Sequence, residues 1–323
     1  MTLMDRRTFL QLSIAVSTTA LASTSALAQW SPRRSVNVIV PYGAGGGTDS
    51  FARAMAGSAD AALPVPMVIV NRPGSSGITG ATEAAGARPD GSTFMMTSAG
   101  SFTLTYLLRD TEVNPFDSFI PVAQIGRLTT SLMVPTASPY ETLDDLVAAM
   151  REAPGTMRWA HTGRGSFHHI GGQGFLNAAE LNAQDVPFSG GGETRAAVIG
   201  EQVDFGMIGI QQAAGFANEL RPLALVSDER DAFATEVPTF EELGYDVPLI
   251  SSPIVVLAPL ETPQDVIDGM QDAIETITQQ PDFIESMAER GNAPAFLPGP
   301  EVATVLAALR DDARPIIEGL EEE

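Results

Sequence analysis

Short β-branched runs that end in glycine-rich turns and lead straight into amphipathic stretches set the tightest limit on what this chain can fold into. Val36–Val40 is a buried-strand pattern, Gly43–Gly47 a glycine-rich turn, and a helix is expected to open at Thr48-Asp49 and run to about Ala62. The rhythm repeats with a strand at Met67–Val70, a turn at Asn71-Arg72-Pro73-Gly74, a helix over Ile78–Ala87, a turn at Pro89-Asp90-Gly91 and a strand at Thr93–Thr97. Thr142 with Asp145 resembles a capping box that opens a helix through about Glu152. Arg158–Ala160, Val203–Ile208, Leu223–Val226 and Ile254–Ala258 read as further strands, and Thr262-Pro263 starts a helix with proline in its first turn. Helical stretches near Asp282–Arg290 and Pro300–Glu318 complete the chain. This alternation predicts an α/β fold on a mainly parallel sheet covered on both faces. Its 323 residues suit two lobes, at about 100–200 residues per domain.

The first 28 residues read as an address. Arg6-Arg7 precedes Thr8-Phe9-Leu10 and an apolar, small-residue run, and Ala26-Leu27-Ala28 offers small residues where a signal peptidase reads. The pair of arginines resembles a twin-arginine export signal, with a general secretory signal also compatible, and cleavage is expected near Ala28. The run is short and rich in Ser and Thr, which weighs against a membrane anchor. With no cysteine to follow the signal, a lipoprotein anchor is excluded. The mature chain is expected to be soluble, in the periplasm or otherwise outside the cytoplasm.

Charge closes other doors. Forty acidic residues face 18 basic ones, for a net charge of −22, and every basic residue is Arg. So little basic charge argues against a nucleic-acid partner. Without Cys or Lys there are no thiol nucleophiles, Cys-based zinc or iron–sulfur sites, Schiff-base lysines or Walker lysine.

Four turns at strand ends are rich in Gly, Ser and Thr: Pro41–Asp49, Thr97–Phe102, Thr162–Ser166 and Ser189–Thr194. Open α/β sheets gather ligands at the carboxyl ends of strands, and free N–H groups at helix starts attract anions. Any one turn is equally explained as a tight connection. Four together point to a pocket able to hold a carboxylate without lysine. Asp49 reads as a helix cap, or as a contact to a donor group if the solute is an amino acid. Arg53 and Arg72 read as structural braces. Arg164, inside a pocket-facing turn, is the candidate charged partner of a distal carboxylate.

Five ordered motifs carry a resemblance. Val40-Pro41-Tyr42-Gly43-Ala44-Gly45-Gly46-Gly47-Thr48-Asp49-Ser50-Phe51-Ala52-Arg53 resembles the opening signature of the Bug family, the solute receptors of tripartite tricarboxylate transporters. Val70-Asn71-Arg72-Pro73-Gly74 with Gly77, Gly80 and Pro89-Asp90-Gly91 is similar to its second signature. Gly163-Arg164-Gly165-Ser166-Phe167-His168-His169, Val186-Pro187-Phe188-Ser189-Gly190-Gly191 and Val237–Tyr245 resemble three later segments. The resemblance runs from about residue 36 to the C-terminus. It implies a periplasmic-binding-protein fold (type II-like), with two α/β lobes, a ligand cleft and two crossovers. Lobe 1 is expected over 29–133 and 252–323, and lobe 2 over 134–251. The implied function is capture of a di- or tricarboxylate or related organic acid for a permease with large and small membrane subunits. No cofactor, no metal and a monomer are expected.

Carried over by position, lobe 1 offers Tyr42, Gly45, Gly46, Thr48, Asp49, Ser98 and Ser101 to the ligand. Lobe 2 offers Thr162, Gly163, Ser166, His169, Gly190 and Gly191, with Arg164 beside them. The chain departs from the family at Phe188-Ser189, commonly Tyr-Lys, which removes a hydroxyl and a cation. The stretch Gly209–Glu219 is also shorter than usual.

Enzyme readings find less support. Counting from Gly43, the third glycine of a dinucleotide fingerprint falls on Thr48, and no G-x-S-x-G elbow occurs. His168 and His169, adjacent on a helix, point about 100° apart and do not converge on one ion; one histidine in the cleft is expected. A sensor subunit uncoupled from transport and a cleft hydrolase stand as the other readings.

An acidic, lysine-free surface suits a saline exterior, where repulsion is screened within about 3 Å at 1 M salt. The expected outcome is a thermal midpoint that climbs with NaCl up to about 1 M, read by circular dichroism. A midpoint already at its maximum in the lowest salt would contradict a salt-adapted surface.

Overall fold

The computed structural model describes residues 30–109, 111–250 and 252–321. The export segment expected at 1–28 lies outside them. Two sheets divide the chain. The first holds β1 (Val36–Val40), β2 (Met67–Asn71), β3 (Thr93–Ser98), β4 (Phe119–Leu128), β10 (Ser252–Pro259) and β11 (Leu297–Pro298), in the order β11-β4-β10-β3-β1-β2. The second holds β5 (Thr130–Pro135), β6 (Arg158–His161), β7 (Gln184–Pro187), β8 (Phe205–Gly209) and β9 (Leu220–Val226), in the order β7-β6-β8-β5-β9.

The chain leaves the first sheet between Leu128 and Thr130 and returns between Val226 and Ser252. Leu128 pairs with Ser252 in one sheet and Thr130 with Val226 in the other. The two crossings therefore start and finish side by side, as a hinge between two bodies requires. Residues 130–133, expected in the first lobe, pair in the second sheet.

The sheets are mixed rather than mainly parallel. β1 pairs in parallel with β2 and β3, as β6 does with β7 and β8. β10 runs antiparallel to β3 and β4, and β5 antiparallel to β8 and β9. β4 and β5 were not read from the sequence. Gln124, Gly126 and Arg127 interrupt the apolar run of β4, and Thr129 alone separates it from β5. These strands take their place from pairing with the returning segments rather than from their own periodicity.

Four helices follow the parallel strand ends: α1 (Gly47–Gly57), α3 (Ala99–Leu108), α5 (Phe167–Ala178) and α6 (Gly191–Ile199), after β1, β3, β6 and β7. α2 (Ile78–Ala85) and α4 (Leu143–Glu152) cover the sheets, and the C-terminal helices are α7 (Gln264–Thr278), α8 (Pro281–Ala288) and α9 (Gly299–Glu321). α4 opens on the expected capping box. Thr142 Oγ1 accepts from Asp145 N at 3.2 Å, and Asp145 Oδ2 accepts from Thr142 N at 2.8 Å. α1 begins one residue before Thr48 and stops at Gly57 rather than near Ala62, where Gly57-Ser58 weakens the helix and a 3₁₀ turn follows over Ala59–Ala61. No helix among the described residues is long and apolar enough to cross a membrane.

α1 docks by burying Phe51, Ala52 and Met55 in the first core with Val38, Val40 and Ile254. The Phe51 ring occupies the space that a Cβ at Gly126 would fill. The second core centres on Trp159, Phe175, Phe205 and Phe240, and Gly172 leaves room for the indole in the same way. Gly126→Ala should overpack this contact and cost about 1–3 kcal/mol of unfolding free energy in urea. Wild-type stability would show that Phe51 does not seat α1 there.

Candidate functional site

One cavity lies where the four helix starts meet between the two sheets. Tyr42, Gly46, Thr48 and Asp49 reach it from the first turn and α1, and Ser98 and Ser101 from α3. Thr162 and His168 enter from the α5 side, and Gly190 and Gly191 from α6. Leu128 and Phe167 form an apolar side, and Gln211 and Gln212 close the far wall.

Two of these helix starts are built alike. α1 is capped by Gly46 and α6 by Gly190, neither of which has a side chain to cap with. In each helix the third residue is acidic and reaches back past the cap. Asp49 Oδ2 accepts from Gly45 N at 2.8 Å, and Glu193 Oε2 from Ser189 N at 3.1 Å. The first N–H to close a helical turn is that of Ser50 in α1, to Gly46 O, and that of Thr194 in α6, to Gly190 O. The N–H groups of Gly47, Thr48 and Asp49, and of Gly191, Gly192 and Glu193, thus have no partner within their helices. α3 and α5 differ. Ser98 Oγ accepts from Ser101 N at 3.4 Å, and Ser166 Oγ from His169 N at 3.2 Å, so these two helices consume an amide in their own caps.

The open starts face each other at glycine spacing. Gly43 N donates to Ser189 O at 3.0 Å across the interface. A Cβ on Gly46 would stand 3.2 Å from Gly191 N, and one on Gly192 2.6 Å from Ala44 O. Only glycine permits this approach, which answers the alternative that these turns needed glycine merely for chain reversal. At the cleft mouth Ser76 Oγ donates to Arg164 O at 2.9 Å, and Arg109 Nη2 to the same oxygen at 3.3 Å. Ser76 sits in the left-handed region at φ 54°. The two bodies are closed on one another.

The cavity lining carries no cation. Asp49, 2% exposed, is neutralised by Arg53 Nε at 2.8 Å, and its Oδ1 accepts from Asn71 Nδ2 at 2.9 Å. Asp49 is therefore not the helix cap; it fastens the glycine turn from the third helical position. Arg53 braces it, as expected, while Arg72 pairs with Glu83 at the surface. Arg164 faces away from the cavity: its side chain is 62% exposed and bonds Asp185 Oδ1 at 2.9 Å.

Three more expected contacts also stand outside the lining. Gly45 is exposed, and Gly163 turns its amide onto His161 Nδ1 at 3.2 Å. Ser166 is occupied as a cap. The histidine in the cavity is His168 rather than His169. With Ser166 as cap, the helix phase aims His168 inward and stacks His169 on Trp159, ring centroids 5.9 Å apart. Sequence reasoning missed Gln211 and Gln212 as well. They follow Gly209 at the carboxyl end of β8, so the strand-end rule that found the other turns applies there too.

His168 and His169 diverge, but His161 and His169 come together with Asp185, their ligand atoms within 4.8 Å of one another. His161 Nδ1 accepts from Gly163 N, which places its proton on Nε2, where it donates to Asp185 Oδ2 at 3.2 Å. Arg164 holds the other oxygen. The carboxylate is thus already balanced by a cation and an N–H, an arrangement that disfavours a metal ion.

Burial governs titration. It pushes the Tyr42 hydroxyl up to about 12, and that hydroxyl bonds Thr97 Oγ1 at 3.0 Å. It depresses His168 to about 3 and His169 to about 4, with nearby His161 adding to both, and it lowers His161 too. A buried neutral imidazole must take up a proton when the chain unfolds below its ordinary value near 6.5. The histidines therefore support the fold fully above about 6.5, and that support falls away as pH drops toward 3. Urea unfolding should show stability declining from about pH 6.5 to about 4, with a shallower decline in His168→Gln. Equal slopes would contradict a buried neutral His168.

A family model described as the tripartite tricarboxylate transporter family receptor matches residues 51–321. BugT of Bordetella pertussis is 26% identical over 269 residues, 82% of this chain and 82% of that protein. The periplasmic binding protein BugD is similar in structure at a TM-score of 0.82 and 25% identity, over 90% of this chain and 98% of that one. MatC from Rhodopseudomonas palustris with bound malate aligns at a TM-score of 0.79 and 25% identity, over 88% and 99%.

Proposed function

Because the chain belongs to the tripartite tricarboxylate transporter receptor family, we propose that it captures a small organic acid outside the cytoplasm by closing two lobes around it. Residues 1–28 direct export and are removed near Ala28. Lobe 1 comprises 29–128 and 252–323, and lobe 2 comprises 130–250. The acid is then handed to a permease of one large and one small membrane subunit.

The carrying observation is the pair of glycine-capped helix starts, one from each body, whose free amides meet at the cavity. A carboxylate there accepts charge-assisted bonds, each contributing about 1.5–3 kcal/mol, in the field of two helix N-termini. Each lobe supplies only part of the donor set, so the anion favours the closed state through its differential contacts. Gln212 adds an oriented amide. Arg195 Nη1 holds its Oε1 at 2.9 Å, and its Nε2 stands near α6. MatC, of similar fold, has malate bound, which supports a carboxylate as the ligand class.

Binding fits the geometry better than turnover. Thr162 Oγ1 and His168 Nδ1 are 2.8 Å apart, the spacing of a nucleophile and its base. Burial holds that imidazole near 3, and no carboxylate orients its other nitrogen, so it is a poor general base.

Calorimetry against a panel of mono-, di- and tricarboxylates tests the reading. At 100 times its dissociation constant the true ligand should add about 2.7 kcal/mol to stability. Gly192→Val, which forces a branched side chain against Ala44 O, should hold the lobes apart and weaken binding at least about tenfold. A panel without any binder, or undiminished affinity in Gly192→Val, would overturn it.

A further inference from the structure

The cavity holds two acceptors that the carboxylate reading leaves without a partner. His168 is 5% exposed and Gln211 8% exposed. Both line the cavity, and His168 Nε2 and Gln211 Oε1 are buried with no hydrogen-bond partner among the described residues. A buried acceptor without a donor costs about 1–3 kcal/mol, so two in one cavity point to a group they are built to receive.

The tautomer of His168 follows from its neighbours. Thr162 Oγ1 donates to Ser166 Oγ at 3.2 Å, and therefore accepts the proton of His168 Nδ1 at 2.8 Å. His168 Nε2 is left as a bare lone pair. Burial keeps the ring neutral at physiological pH, so this nitrogen stays an acceptor. The Gln211 side chain is seated just as tightly. It fills the space where Gly47 and Gly209 would carry a Cβ, which confines it to the wall of the cavity.

The lining thus has two chemistries. Amide donors belong to α1, α6 and Gln212; acceptors belong to His168 and Gln211. A carboxylate is acceptor-only and satisfies the first set, but it cannot satisfy the second. A hydroxyl accepts from those amides and has one proton to donate, to one of the two acceptors at a time. A protonated amine also donates, but it is less suited to a neutral imidazole and an amide oxygen than to a carboxylate, and both oxygens of Asp49 are already bonded.

We infer that His168 and Gln211 form a hydroxyl-reading subsite, so that the receptor selects hydroxy acids over the same acids lacking the hydroxyl. The inference rests on the carboxylate reading above and adds the ligand's second functional group. Discrimination of this kind arises because the analogue strands a buried acceptor that the hydroxyl would have bonded, rather than because that bond is strong in itself.

Calorimetric titration of the purified protein with matched pairs tests it: lactate against propionate, 3-hydroxybutyrate against butyrate, malate against succinate, and citrate against tricarballylate. The expected result is that the hydroxy acid of at least one pair binds roughly 10- to 100-fold more tightly than its partner. In Gln211→Leu that ratio should shrink toward one, with the hydroxy acid losing more affinity than its deoxy partner. Should this variant fail to fold, the ring ¹⁵N signals of His168 in the wild type serve instead, shifting with the hydroxy acid and staying still with the deoxy acid. Equal affinity within every pair that binds would overturn the hydroxyl subsite and leave the carboxylate reading standing. So would a ratio unchanged in Gln211→Leu, or His168 signals indifferent to the hydroxyl. Silence across every pair would overturn both.

Discussion

Everything at the cleft depends on the close approach of two helix N-termini that have no side chain at the cap. Gly46 and Gly190 leave the first amides of α1 and α6 open, and Gly191 and Gly192 let the two backbones come together. A serine at either cap would have done what Ser98 and Ser166 do in α3 and α5, bonding an amide internally. The acidic third residues make the design affordable. Asp49 and Glu193 tie down the turn amides that precede each cap, so the loops are ordered although the caps are bare. In the proposed function closure and anion binding are one event, because each lobe supplies part of the donors.

A chain of net charge −22 with no lysine can in this way offer an anion a site. Long-range charge is a property of the surface; affinity is set by the groups that line the cavity. There Asp49 is cancelled by Arg53, and the remaining polarity comes from peptide dipoles and neutral side chains such as Ser101 and Gln212. Arg164, the one guanidinium expected to meet the ligand, is spent on Asp185 outside the cavity. A site made of amides offers a carboxylate direction as well as charge. A lysine ammonium would act more as a point charge, indifferent to the ligand's other groups.

How much of this the sequence could tell depended on how local each feature was. Val36–Val40 and Ile254–Ala258 were legible because strands buried on both faces read as near-continuous apolar runs, broken here only by Asn37. The four glycine turns were legible for the same reason: their chemistry is written in consecutive residues. β4 and β5 were not, since Gln124, Gly126 and Arg127 take strand geometry from pairing with the returning β10, and β5 takes its own from β8 and β9. The choice between His168 and His169 depended on helix phase, which a one-residue change in the cap position would reverse. Arg164 was misplaced because nothing local announces Asp185, 21 residues away, as its partner. Gln211 came from a fifth strand end whose turn lacks the Gly-Ser-Thr composition of the other four.

The most direct test is a crystal structure of the protein with its organic acid bound. The account predicts carboxylate oxygens within hydrogen-bond reach of amides in the first turns of both α1 and α6, with the lobes closed and no guanidinium touching the ligand. A carboxylate held by Arg164 or Arg109, or one bonded to the helix start of a single lobe, would contradict it.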